Sequence, residues 1–201
     1  MHGPSRLPPV ARDDLAVTEG SLKGRLLVAT PSLGDPNFDR TVVLVLEHNE
    51  EGALGVVLNR PSDIELAGPL PEWRALAADP PVVFVGGPVA QGAAIGLVQV
   101  GADTEGDAWT PVLGPVGILD LSRDPDDVGL PVAAVRIFSG YAGWGPDQLQ
   151  GEVDVGAWFV VDGLPEDALS PEPGSLWRSV LKRQRGQLAL FANFPADPAM
   201  N

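Results

Sequence analysis

An α+β fold with a mainly antiparallel sheet is predicted by three observations. Short apolar runs rich in β-branched residues recur between Arg25 and Val161 and outnumber the helical segments. Turn residues separate them, drawn from 24 Gly and 21 Pro in a chain of 201 residues. Strands and helices do not alternate, which argues against a doubly wound parallel sheet. Residues 1–20 read as a disordered lead-in, with Pro4, Pro8, Pro9 and mixed charges and no apolar run of signal-peptide length. Residues 21–201 read as one domain.

The elements follow in order. Arg25 to Thr30 is a short apolar strand, stopped by Pro31-Ser32-Leu33-Gly34-Asp35-Pro36. Thr41 to Glu47 is too continuously apolar for a strand with one wet face and is expected to be buried on both sides. Gly52 to Asn59 repeats the pattern, and a five-residue polar loop joins the two as a hairpin. Pro71 to Ala78 is one short helix, begun by Pro and stopped by Asp79-Pro80-Pro81. Val82 to Val85 and Ala93 to Val100 are strands flanking a sharp turn at Gly86-Gly87-Pro88. Trp109 to Leu113, Val116 to Leu119, Val132 to Phe138 and Ala157 to Val161 complete the strands. A glycine-rich turn, Gly140 to Gly145, leads into a short helix over Asp147 to Val153. The best helix is Ser175 to Gln184: Leu176, Trp177, Val180 and Leu181 share a face, Ser175 can cap and Gly186 can end it. Pro195 to Asn201 is expected to be extended.

Composition narrows the function classes. The net charge of −14, from 27 acidic and 13 basic residues, repels phosphate backbones and anionic lipid, so direct DNA binding is disfavoured. With no Cys there is no thiolate nucleophile, disulfide or Cys-based zinc site. His2 and His48 are the only two His, too few for a His-rich metal centre, and no metal or cofactor is assigned. No segment has the ~20 apolar residues of a membrane-spanning helix, and a cytoplasmic location is expected.

The polar groups around the first hairpin are the candidate ligand-binding residues: Asn37, Arg40 and His48, with Asn59 and Arg60 at its far end. They suit an anion or carboxylate cradle, with Arg as a planar fork and His48 as a proton carrier. They equally suit turn residues that serve the backbone. Tyr141 and Trp144, inside Gly140 to Gly145, can stack on a ring or pack over exposed backbone. The order there is G-x-x-G-x-G, with no Lys-Ser or Lys-Thr following, so it is not a dinucleotide or Walker fingerprint. Ser139 lacks a nucleophile-elbow context, and no catalytic residue is assigned. The one basic cluster is Arg178, Lys182, Arg183 and Arg185, as befits a solvated helix face with cations near its C-terminus or a site for nucleic acid or an acidic partner.

Several blocks together resemble the AlgH/YqgE family of bacterial proteins. They are Gly24 to Ala29, Asp35-Pro36-Asn37-Phe38, Arg40 to Val43, Glu47-His48 and Gly55 to Pro61. Further on come Gly86 to Val89, Phe138 to Pro146 with Gln148-Leu149, Trp158, Trp177 and Pro195 to Pro198, in the same order. The resemblance implies a sheet closing into a partial barrel with a few short helices. It also brings a transcriptional-regulator label, through a link to alginate production, with no DNA-binding motif and no catalytic residues to carry over. The chain departs from that pattern at Asp147, where the family commonly has Gly. The expected function is a cytosolic regulatory or ligand-sensing role, exerted on transcription indirectly through an unidentified small molecule or protein partner. The alternative is an enzyme or nucleotide- or anion-binding protein using Arg40, His48 and Tyr141.

Overall fold

Successive side chains of the early strands enter two different apolar clusters, which is why their sequence lacks polar alternation. In the computed structural model, which describes residues 20–101 and 104–194, Leu26, Val28, Val42, Leu44 and Leu46 join one cluster. Leu27, Ala29, Val43 and Val45 join the other. The expectations for a lead-in over residues 1–19 and for an extended Pro195 to Asn201 lie outside the described residues.

The strands are β1 (Arg25–Ala29), β2 (Val42–Asn49), β3 (Gly52–Val57), β4 (Pro61–Glu65), β5 (Val82–Val85), β6 (Val89–Val100), β7 (Trp109–Leu113), β8 (Val116–Leu119), β9 (Val132–Trp144) and β10 (Trp158–Asp162). The helices are α1 (Gln148–Asp154), α2 (Pro165–Ala168), α3 (Leu176–Lys182) and α4 (Leu188–Phe191). The sheet runs β10-β1-β2-β3-β9-β6-β8-β7, with β5 beside β9 and β4 beside β5. Strand pairs are antiparallel except β5 with β9. The α+β class and the mainly antiparallel sheet are as predicted.

β9 holds the two halves together. Its last residues, Ala142 to Trp144, pair with β3, and the rest of the strand pairs with β6. The sheet then curls until its ends approach: a Cβ on Gly24, just before β1, would lie 2.7 Å from the Val112 carbonyl oxygen of β7. Among the described residues no ladder bridges that seam, so the closure is a half-barrel.

Short helices cover the faces. Leu176, Trp177, Val180 and Leu181 of α3 pack into the inner cluster, with Ala168 at the end of α2. The Trp177 indole donates to the Ala29 carbonyl at 2.9 Å, which seats α3 on β1. Leu149 of α1 covers the opposite face of the first half, and Trp73 covers that of the second. Arg136 of β9 is buried within this packing. It donates to the carbonyls of Asp79 (2.5 Å) and Ala168 (3.4 Å) and lies 4.3 Å from the Phe84 ring centroid. Burial lowers its pKa to about 10, opposed by the charge of Asp79.

Several elements differ from the sequence reading. β2 continues to Asn49, leaving a two-residue turn at Glu50-Glu51 instead of a five-residue loop. A register shift between Val45 and Glu47 absorbs the change of polarity without ending the ladder. The Gly140 to Gly145 stretch is mostly strand, because β9 runs to Trp144. Gly140 serves a backbone crossing: it has φ 72 and a Cβ on it would lie 2.7 Å from the Gly87 carbonyl oxygen, while on the other side of the crossing a Cβ on Gly87 would lie 2.2 Å from the Tyr141 carbonyl carbon. Pro71–Leu76 is a 3-10 turn rather than an α-helix. Ser175 makes no side-chain cap for α3, since its Oγ donates to the Glu172 carbonyl. β4, α2 and α4 were not anticipated.

Candidate functional site

The conspicuous turn folds onto itself and onto the aromatic residues behind it. The Asp35 carboxylate accepts the Asn37 N–H at 2.8 Å, closing an Asx turn with the Asn37 side chain exposed. Phe38 then lies with its centroid 5.3 Å from Trp158 and 6.4 Å from Trp144. The two indoles converge on one carboxylate oxygen, Glu152 Oε2, at 2.9 and 2.8 Å. Gln148 donates to the other Glu152 oxygen at 3.0 Å and accepts the Gly145 N–H at 3.0 Å. Trp144 is therefore committed at its ring face and at its N–H.

Asn59 and Arg60 fasten the same corner. Asn59 Oδ1 accepts the Val42 N–H at 2.9 Å and its Nδ2 donates to the Arg40 carbonyl at 2.8 Å. The amide thereby continues the ladder where β3 has left it. Arg60 donates to the Pro36 carbonyl at 3.1 Å and more weakly to that of Asp39. Arg40 itself has φ 51. Its guanidinium donates to the Phe194 carbonyl at 3.2 Å and lies 5.0 Å from the Trp177 ring centroid.

His48 and Tyr141 lie elsewhere. His48 is near the far end of β2, its Nδ1 accepting the Leu22 N–H at 2.9 Å. Six residues of strand, at about 3.3 Å each, place it about 20 Å from Val42. One small substrate cannot touch both Arg40 and His48. Tyr141 is half-buried against the inner cluster, with its ring over Gly143. Ser139 donates its hydroxyl to the Gln91 carbonyl. Of the basic cluster, Arg183 is committed to buried Asp167, with contacts of 2.6 and 2.5 Å, while Arg178, Lys182 and Arg185 are exposed. Among the described residues no group of three or more His, Asp or Glu could hold a metal ion, and no helix is long and apolar enough to cross a membrane.

An open groove lies where α4 faces the ends of β1 and β10. Phe159 and Phe191 meet with centroids 5.0 Å apart. With Phe194, Pro31 and Gly156 they line a hollow of about 410 Å³, which Thr30 and Ser32 also border. Gln187, Leu190, Phe191 and Phe194 line a second hollow of about 310 Å³, which shares Phe191 and Phe194 with the first. Thr30 Oγ1 lies 3.0 Å from both the Gly156 carbonyl and Ser32 Oγ, which fixes one wall. Leu190 is 70% exposed and Phe194 is 41% exposed. Among the described residues, Arg40 is the sequence candidate hydrogen-bonded to this groove, through Phe194. Sequence reasoning missed the groove itself; the available signal was Leu188 to Phe194, an apolar stretch with no charge directly after a basic helix.

Comparison with known proteins gives a consistent picture. The family model described as AlgH-like matches residues 26–189. A UPF0301 protein of Streptomyces coelicolor is 52% identical over 185 residues, covering 90% of this chain and 96% of that one. A UPF0301 protein of Mycobacterium avium is 45% identical, covering 89% and 90%. Among solved structures, protein DIP2367 of Corynebacterium diphtheriae superposes with a TM-score of 0.81 at 32% identity, covering 86% of this chain and 92% of that chain. The AlgH protein of Pseudomonas aeruginosa, studied in solution, superposes with a TM-score of 0.62 at 28% identity, covering 90% and 98%.

Proposed function

Since the chain belongs to the AlgH-like family, we propose that it works as a non-catalytic regulatory or ligand-sensing protein of the cytoplasm, binding its ligand or partner in the groove between α4 and the β1–β10 end. The observation that carries this reading is the contrast in hydrogen bonding. The polar side chains of Asn59, Arg60 and Trp144 are satisfied by the chain's own backbone or by Glu152, whereas the groove presents apolar surface to solvent. Binding sites are commonly concave and mostly apolar with a few polar groups at the border; exposed Ser32 is such a group here, while Thr30 and Arg40 are already hydrogen-bonded to the chain. An effect on transcription would pass through that partner, since the net charge of −14 opposes duplex contact.

The competing reading, an enzyme or anion-binding protein using Arg40, His48 and Tyr141, finds less support because those three side chains do not share a pocket. A thermal-shift screen of the full chain against a metabolite library separates the two. Stabilisation by a hit should be lost in Leu190→Ser and Phe194→Ser and kept in His48→Ala. Hits that lose their effect in His48→Ala but survive both groove variants would replace the binding reading with the catalytic one.

A further inference from the structure

The charge around the groove suggests what enters it. Residues 173–194, which carry α3, α4 and the groove-lining Gln187, Leu190, Phe191 and Phe194, contain four cations and not one carboxylate. The remainder of the chain holds all 27 acidic residues against nine basic ones. Arg183 is neutralised by Asp167. Arg178, Lys182 and Arg185 are exposed on α3 and the turn that follows it, with Arg185 two residues before Gln187. Beside the groove the Arg40 guanidinium is bonded to the Phe194 carbonyl. Carboxylates close to the lining in sequence, Asp154 and Asp162, lie on the β10 side, where Asp162 pairs with Arg25; with a Debye length of about 8 Å at physiological salt, the α3–α4 side is the one that attracts an anionic segment.

Resting on the groove reading above, we propose that the groove is the docking site for an acidic segment of a partner protein, one that seats a bulky apolar side chain between Leu190 and Phe194 while its carboxylates face Arg178, Lys182 and Arg185. The apolar anchor supplies burial and the charges supply orientation and encounter rate. A purely apolar occupant would leave the cations unused, and a basic one would be repelled by them.

Panning a random peptide library displayed on phage against the full chain tests this, followed by titration of the enriched peptides as soluble fluorescent probes. Enriched sequences should combine Asp or Glu with Leu, Phe or Trp. Their affinity should fall about tenfold in the triple variant Arg178→Glu, Lys182→Glu, Arg185→Glu, fall similarly in Leu190→Ser, and weaken as salt is raised. Enrichment of basic or uncharged sequences, or of none, overturns the proposal, as does binding indifferent to salt and to the triple variant. So does a dimer seen by light scattering that Leu190→Ser dissociates, which would give the groove to a second copy. Competition by a free peptide of residues 195–201 would give it to the chain's own segment, with the same result. Hydrogen exchange of the bound chain separates the two levels of the reading. Protection of β10 and α4 without acidic preference sinks only the partner chemistry, whereas protection confined elsewhere sinks the groove as well.

Discussion

The corner built from residues 35–60 and the groove under α4 are joined through Arg40, yet they treat polar groups in opposite ways. At the corner, Asn59 satisfies a backbone donor and a backbone acceptor with one amide, and Glu152 gathers two indole N–H groups. In the groove, phenylalanine rings and an exposed leucine face solvent with few hydrogen bonds to make. Dense polar side chains in a turn therefore mark where the chain must be fastened, and the surface left for recognition is chemically plainer. A turn that must hold left-handed Arg40 and join β1 to its neighbour β2 needs donors and acceptors in fixed places; a docking surface needs only shape, area and a few charges.

Substitutions at the two regions should differ accordingly in stability. The largest loss is expected for Gly87→Ala, where the new Cβ meets the Tyr141 backbone at 2.2 Å. Backbone has no rotamer through which to yield, so a destabilisation of about 4 kcal/mol or more is expected in urea denaturation. Asn59→Ala comes next. It removes the partners of the Val42 N–H and the Arg40 carbonyl, and should cost about 2–3 kcal/mol by the same measurement. A loss under about 0.5 kcal/mol would mean water replaces the amide and the corner is not fastened as described.

Asp147→Gly should act in the other direction. Asp147 has φ 58 at the start of α1, where an L side chain is strained and Gly is not. A gain of roughly 0.5–1 kcal/mol is expected, visible as a raised Tm. Leu190→Ser, at a side chain 70% exposed, should change stability by no more than about 0.5 kcal/mol. A larger loss would make Leu190 part of the packing of α4 rather than of a docking surface.

Much of the fold was legible in the sequence because β1, β2 and β3 are buried on both faces, which produces unbroken apolar runs. β4 was not, since it is exposed along most of its length and begins at Pro61. The four-residue helices α2 and α4 are too short to show a period. The extension of β9 was misread because Gly140 and Gly143 signal a turn in isolation, whereas here Gly140 permits a crossing of two backbones. Asn37, Arg40, His48, Asn59 and Arg60 read as one group in the sequence, whereas His48 lies at the far end of β2 against Leu22, and nothing local distinguishes an amide aimed at a ligand from one aimed at Val42. The groove was invisible for a topological reason: Thr30 and Gly156, 126 residues apart, become neighbours only when β10 pairs with β1.

The position of β9 in the chain has a consequence during synthesis. β3 ends at Val57, yet the strand that covers its free edge is complete only at Trp144. At a translation rate of about 5–20 residues per second, that edge waits roughly 4–17 seconds on the ribosome for its partner. During this interval the β2–β3 hairpin displays an unpaired, apolar edge, the kind of surface that recruits other nascent chains. Until residue 144 is made that edge is open to misassembly, and a chaperone that shields β3 in that window would raise the yield of folded protein.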